Sequence, residues 1–233
     1  MPPPPRPLRS PGPARPEASG PARLPRLPDS PGPLDGLPLQ PGEGLLGAGG
    51  SLEPGLVWHA YRHGAFPWFS EGDPVLWWSP DPRAVLWPQG LRVSRRLART
   101  LRSGRFEVRR DTAFDAVVAG CAARESTWIT EGMARCYGTL HAQGRAHSFE
   151  VLHEGQLCGG LYGVRVGPVF CAESMFHTES DASKVALVEA VRRLAAEGVT
   201  CIDVQFLTPH LVRMGACEIP RREYLGLLPR TLP

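Results

Sequence analysis

Lysine is nearly absent from this 233-residue chain: of 26 basic residues, only Lys184 is not arginine. Long apolar runs are absent too. The longest stretch without Asp, Glu, Lys or Arg, Gly155 to Val164, has ten residues, about half of the ~20 that cross a bilayer, so no spanning helix is expected. Met1 to Arg6 and the Pro/Arg-rich residues after them hold no apolar core, so no secretory signal is expected. The six cysteines (Cys121, Cys136, Cys158, Cys171, Cys201, Cys217) form no C-x-x-C pair and no close spacing with His. That pattern argues against a metal site and against a disulfide framework. Thiols scattered in this way suit buried positions in a reducing compartment, so a soluble, cytoplasmic protein is expected. The chain also lacks a G-x-S-x-G, a P-loop, and a G-x-G-x-x-G after a strand. Neither ATP nor a dinucleotide is expected as cofactor.

Proline is abundant but uneven. Fifteen of the 26 prolines lie at or before Pro41, leaving eleven for the other 192 residues. Fixed φ angles and missing N–H donors disfavour helix and sheet in residues 1–41, and too little apolar surface is available to offset ordering. A disordered tail is therefore expected there, a small N-terminal domain over 42–80, and a larger domain over 81–233. Net charge is only +3, yet eight Arg fall between Arg92 and Arg110 against one acid, Glu107. Arg95, Arg99 and Arg102 recur at i, i+4 and i+7, on one face of a helix. Two readings of that face stand: a solvated helix surface, or a patch for nucleic-acid phosphates.

Ser51 with Glu53 and Pro54 predicts a helix start, ending near Gly64. Ser94 predicts the cap of the Arg-rich helix. Further helices are expected from Thr112 and from Glu131, the latter with Met133, Cys136, Tyr137 and Leu140 inward. The period then changes to two. His147–His153, Gln156–Val166 and Val169–Phe176 read as a three-strand meander with turns at Glu154-Gly155 and Gly167-Pro168. An amphipathic helix over about 183–197 and a strand over 199–206 follow. Strand, helix, strand requires a right-handed crossover, so the third and fourth strands should be parallel. A meander feeding such a unit is the wiring of an acetyltransferase-like half. The fold class expected is α+β, with a mixed, mostly antiparallel sheet. The Gln/Arg-x-x-Gly-x-Gly/Ala turn that holds coenzyme A in acetyltransferases is missing, which points to another acyl donor.

On the fourth strand, alternation puts Ile202, Val204 and Phe206 on a core face and Cys201, Asp203 and Gln205 on the other. Glu173 interrupts an otherwise apolar third strand. Buried charges are costly unless paired. Glu173 and Asp203 therefore either pair with an Arg for structure, or form a polar cluster at the open end of the parallel strands, where ligands bind in α/β folds.

The blocks GLLGAGGSLEP (44–54), AYRHGAFPWF (60–69), LWWSPDPRAVL (76–86), TWIT (127–130), AHSFEV (146–151), GGLYGV (159–164), AESMF (172–176), ASK (182–184), IDVQ (202–205) and GACEIPRR (215–222) resemble the leucyl/phenylalanyl-tRNA–protein transferases. Ser51, Glu53, Ala172 and Val204 depart from that pattern conservatively. The resemblance implies a small N-terminal domain before an acetyltransferase-like domain. It implies transfer of Leu or Phe from charged tRNA to the α-amine of a protein beginning with Arg or Lys, which marks that protein for N-degron degradation. It implies Glu173, Asp203 and Gln205 as catalytic residues. Trp68, Trp128, Ser174 and Met175 would line the aminoacyl-nucleotide site, with Met175 a wall of the apolar side-chain pocket. Arg95, Arg99 and Arg102 would contact tRNA. Charged tRNA is then a co-substrate, with no metal, ATP or coenzyme A, and no membrane partner; a monomer is expected. In the expected mechanism Asp203 polarises the Gln205 carboxamide, and Glu173 holds a cationic group. Two other functions compete: a Fem-like transferase with a non-protein acceptor, and a non-catalytic RNA-binding protein.

Overall fold

A computed structural model describes residues 44–123 and 127–229. The expected tail, 1–41, lies outside the described residues. Leu45–Ala48 (β1), Phe66–Pro67 (β2) and Leu76–Trp78 (β3) make a three-stranded antiparallel sheet in the order β1-β3-β2. Helix α1, Pro54–Arg62, precedes β2. Its N-cap is Glu53, so the helix opens two residues later than a Ser51 cap would allow. Proline at the first position suits that end because its missing N–H needs no partner.

The larger sheet has seven strands: Arg83–Leu86 (β4), Glu107–Arg110 (β5), Ala146–His153 (β6), Gln156–Val166 (β7), Val169–His177 (β8), Cys201–Gln205 (β9) and Cys217–Ile219 (β10). Their order is β10-β4-β9-β8-β7-β6-β5. Every pairing is antiparallel except β8 with β9, where Val169, Phe170 and Cys171 lie opposite Cys201, Ile202 and Asp203. The α+β class, the meander and its single parallel crossover are therefore as expected. Among the helices, α2 is Arg95–Arg102, α3 is Phe114–Ala122, α4 is Glu131–Ala142 and α5 is Ala182–Ala196. Two short ones follow, α6 Pro209–Met214 and α7 Arg221–Leu227. Ser94, Thr130 and Thr208 cap α2, α4 and α6 by accepting from the third residue on, at 3.2 Å in each case.

Two apolar clusters flank the sheet. The first joins it to the small sheet and to α1, α3 and α4, and contains the inward set of α4 (Met133, Cys136, Tyr137, Leu140). The second joins it to α5, whose Leu187, Val191 and Leu194 are buried, and to Leu97 of α2. β6 does not alternate between core and solvent. Phe149 and Val151 face the second cluster, while Ser148 and Glu150 are also buried. Glu150 is held because it accepts from Thr112 Oγ1 (3.1 Å) and the Ala113 amide (3.4 Å), capping α3 from the neighbouring strand. No described helix is long and apolar enough to cross a membrane.

Candidate active site

β9 is a central strand, and its two polar residues have different surroundings. The Asp203 carboxylate has no solvent exposure. Arg83 of β4 donates to it twice, Nε to Oδ1 at 2.8 Å and Nη2 to Oδ2 at 2.6 Å. The Tyr224 hydroxyl of α7 donates to Oδ2 (2.9 Å), and the Gln205 amide to Oδ1 (3.0 Å). The Arg83 guanidinium also donates to the Gly64 carbonyl (3.1 Å) and lies between the rings of Phe66 and Tyr224. Burial alone would lower the Arg83 pKa, but Asp203 overrides it and holds the guanidinium above its ordinary value. The pair is bidentate, buried and saturated with partners, so its charges are settled within the fold.

The structure corrects the expected coupling of Asp203 to Gln205. The carboxylate bonds the Gln205 backbone, not its carboxamide. This bond helps to hold Gln205 in the left-handed region, φ +56°, at the end of β9. The same turn re-aims Phe206. It does not continue the Ile202–Val204 face; it packs against Phe66 and Trp68 of the small sheet, with ring centroids 6.2 and 5.4 Å away.

Glu173 stands at a bulge in β8. Tyr162 of β7 faces Ser174 and Gly163 faces Ala172, so Glu173 is the extra residue. Glycine is needed opposite: a Cβ on Gly163 would lie 2.2 Å from the Cys171 carbonyl oxygen and 2.7 Å from the Phe170 ring. Just past the last parallel pairing of β8 and β9, the Gln205 Nε2 donates to Glu173 Oε1 (3.2 Å). The Tyr137 hydroxyl of α4 donates to Oε2 (3.2 Å) and shares a 2.8 Å hydrogen bond with Tyr61 of α1. Burial pushes the Glu173 carboxyl up to about 8, the Asp203 charge adds to this, and the bonds from Tyr61 and Tyr137 oppose it. No Arg pairs with it among the described residues. Structural pairing with Arg thus holds for Asp203 and fails for Glu173.

The bulge also sorts the neighbouring residues. Phe176 lies with the first cluster, on the Glu173 side, while Met175 packs with the second cluster near α5. Met175 is therefore not beside the Glu173 carboxyl, because the extra residue shifts the alternation. Ser174 is half-buried opposite Tyr162. Trp68 is half-buried, with its ring 5.5 Å from Trp78 and 5.4 Å from Phe206. Trp128 is half-buried against the first cluster and makes no hydrogen bond to Glu173 or Gln205. Arg95, Arg99 and Arg102 are exposed on α2 and form no ion pair with a described residue.

Four site residues escaped the sequence reading: Arg83, Tyr224, Tyr61 and Tyr137. The sequence carried one usable signal for Arg83, a charged side chain opening the apolar strand Arg83–Leu86. Tyr137 was legible as inward-facing, but its hydroxyl partner lies 36 residues away on another element. Among the described residues no group of three His, Cys, Asp or Glu could hold a metal ion.

A bidentate buried ion pair beside an acid–amide–phenol cluster, at the open end of a parallel strand pair, is a site shaped for acid–base work on a bound substrate. Comparison with known proteins says which class of enzyme this is. The family model for leucyl/phenylalanyl-tRNA protein transferase matches residues 85–229, and the model for the N-terminal domain of those enzymes matches residues 50–81. A transferase of that name from Chromohalobacter salexigens is 52% identical over 194 residues, covering 82% of this chain and 76% of the relative. One from Shigella dysenteriae is 49% identical over 192 residues, covering 82% of each chain. A solved GCN5-related N-acetyltransferase from Kribbella flavida is 11% identical, with a TM-score of 0.38 over 72% of this chain and 61% of that one. The chain belongs to the leucyl/phenylalanyl-tRNA–protein transferase family, a family of aminoacyltransferases.

Proposed function

We propose that this chain moves Leu or Phe from the 3′ end of charged tRNA to the N-terminal α-amine of a protein beginning with Arg or Lys, marking that protein for degradation. The observation that supports this most is the Glu173 carboxyl, pushed to about 8 and bonded by Gln205 and Tyr137. An α-amine has a pKa of ~7.7–8.0, so a proton passes between a bound α-ammonium and Glu173 at almost no cost. A base matched to its substrate in this way works efficiently near neutral pH. Glu173 takes the proton that makes the amine nucleophilic. The neutral nitrogen attacks the ester carbonyl, and the bond to the 3′ oxygen breaks as a second N–H proton passes to that oxygen. The proton held by Glu173 is released to solvent.

Gln205 is held by its Nε2 on Glu173, which leaves its carboxamide oxygen to accept from the attacking amine. Asp203 acts through Gln205 and is a positioning residue. Trp68, with Phe206 against it, offers an aromatic wall for the 3′ nucleoside. Trp128 and Ser174 complete the substrate-lining set, while Met175, packed with the second cluster, lies outside it. An aminoacyl ester is already activated, so the reaction calls for no metal, ATP or coenzyme A. Arg95, Arg99 and Arg102 contact tRNA phosphates. Charged tRNA and an acceptor protein are the partners this chemistry needs, and a cytoplasmic monomer meets them.

The test mixes the purified protein with Leu-tRNA and peptides beginning with Arg, Lys, Asp or Ala, and follows peptide mass. Gain of one Leu on the Arg and Lys peptides alone is expected. Binding of RNA with no transfer overturns the reading, and transfer only to a non-peptide acceptor favours a Fem-like enzyme.

A further inference from the structure

A cavity of about 260 Å³ opens between the start of α2, the start of α5 and α6, lined by Arg92, Arg96, Asp181, Lys184, His210 and Arg213. Its apolar floor, Leu97 and Met214, belongs to the second cluster, whereas Tyr61 and Tyr137 beside Glu173 belong to the first. The cavity is therefore a separate site from the one where acyl transfer is placed. Four of its side chains are permanent cations, and one is a carboxylate. Asp181 is already occupied: it accepts from Lys184 Nζ at 2.6 Å and lies 3.6 Å from Arg96 Nε. Arg92 and Arg213 form no ion pair with a described residue. The hydrogen bond from the Arg92 amide to the Met214 carbonyl (2.8 Å) ties the segment entering α2 to the end of α6 and holds the two arginines on one rim.

Unneutralised cations around a concavity repel one another, and an anion entering it relieves that repulsion. His210 feels this potential: burial first, then Lys184, Arg213 and His177, hold its imidazole below the ordinary histidine value. Guanidinium forks match phosphate oxygens two at a time, and a lysine adds a point charge. Arg96 sits on the same helix as Arg95, Arg99 and Arg102, about 100° around from Arg95, so the cavity flanks their exposed row.

We propose that this cavity is a phosphate-binding site which, resting on the tRNA-dependent transfer proposed above, takes one backbone phosphodiester of the tRNA while the α2 row follows the strand beyond it. The exposed rims carry the contacts, so R92Q/R213Q removes two of them without touching a buried side chain.

Two titrations test it on the full chain, with unfolding curves confirming that each variant folds. Uncharged tRNA is titrated across a salt series, and inorganic phosphate is titrated by itself. In R92Q/R213Q, tRNA affinity at ~150 mM salt should fall about tenfold, and the slope of log K against log salt should flatten by about 1.5, two contacts at ~0.7–0.9 each. Phosphate binding should be lost, and R92K/R213K should restore most of the slope but less of the affinity. Loss of phosphate binding with tRNA affinity and slope unchanged would mean that the cavity serves free phosphate, which overturns the RNA assignment. No change in either titration makes the cavity a solvated surface and overturns the site altogether. Uncharged tRNA keeps the outcome apart from catalysis. A wild-type chain that binds tRNA yet transfers nothing sinks the proposed function and leaves this result standing.

Discussion

Asp203 and Glu173 are carboxylates on adjacent strands, Glu173 two residues past Cys171, the register partner of Asp203, and the fold treats them in opposite ways. Asp203 meets a guanidinium, a phenol and an amide, which together supply four donors. Glu173 meets a carboxamide and the Tyr61–Tyr137 phenols, forms no ion pair with a described residue, and its carboxyl is pushed up to about 8. The difference teaches that burial alone does not give a carboxylate its role. A complete donor set turns the fully buried Asp203 into structure, whereas the half-buried Glu173, with fewer donors, stays able to exchange a proton.

The largest expected effect is on Asp203. D203N leaves the Arg83 charge buried without its partner, and breaking such a pair costs about 3–5 kcal/mol. Chemical denaturation reads this directly. The double replacement R83M/D203L should recover much of the loss, because removing both charges leaves neither uncompensated. Equal loss in the single and double variants would show that the charges do not compensate each other.

E173Q should do the reverse. It replaces a carboxyl that is mostly protonated at neutral pH by a neutral group of the same shape, so near pH 5 stability should stay within about 1 kcal/mol of wild type. At neutral pH, where the wild-type carboxyl must take up a proton on folding, E173Q should be the more stable. Transfer should slow by about 10²–10⁴-fold if Glu173 handles the proton. Destabilisation matching that of D203N would collapse the distinction between the two acids.

The pH dependence of stability offers a finer probe. The folded-state pKa of Glu173 lies above its unfolded value, so between about 4.5 and about 8 the folded state holds the extra proton. Stability from this group is then greatest below its unfolded pKa and declines as pH rises towards 8. In E173Q that slope should vanish, and unfolding curves at matched ionic strength from pH 5 to 8.5 will show it. Y137F removes a donor that favours the charged form, so the acidic limb of the rate profile, where the base becomes ionised, should move to higher pH. An unmoved limb would mean that the Tyr137 bond does not tune the acid.

The smallest effect on the fold is expected at the exposed arginines. R95Q/R99Q/R102Q should leave the unfolding midpoint within ~0.5 kcal/mol of wild type. It should weaken tRNA binding and flatten its salt dependence, and saturating tRNA should restore most of kcat. An unchanged KM and slope would make that face a solvated surface.

Much of the fold was legible because it depends on local pattern. The capping residues Ser94 and Thr130 and the inward residues of α4 are short-range signals. So are the paired turns of the meander, and the parallel pairing followed from the handedness of its crossover. Glu173, Asp203 and Gln205 stood out because polar residues in apolar strands need a reason to be there. What could not be read was who satisfies each of them. Arg83 lies 120 residues from Asp203 in sequence, and Tyr61 lies 76 from Tyr137. No periodicity reports contacts of that range.

By itself, then, the sequence determined the elements, their order and the residues able to carry charge into the core, since these rest on backbone chemistry and the spacing of side chains. Its motifs also determined the family. The tertiary structure decided which acid became structural and which became reactive. It decided the bulge at Glu173 that puts Phe176, not Met175, on the Glu173 face, and the turn at Gln205 that sends Phe206 to Trp68. The reason is physical: a buried group's charge state depends on every donor and dipole within a few ångströms, and those neighbours are brought together only when distant segments pack.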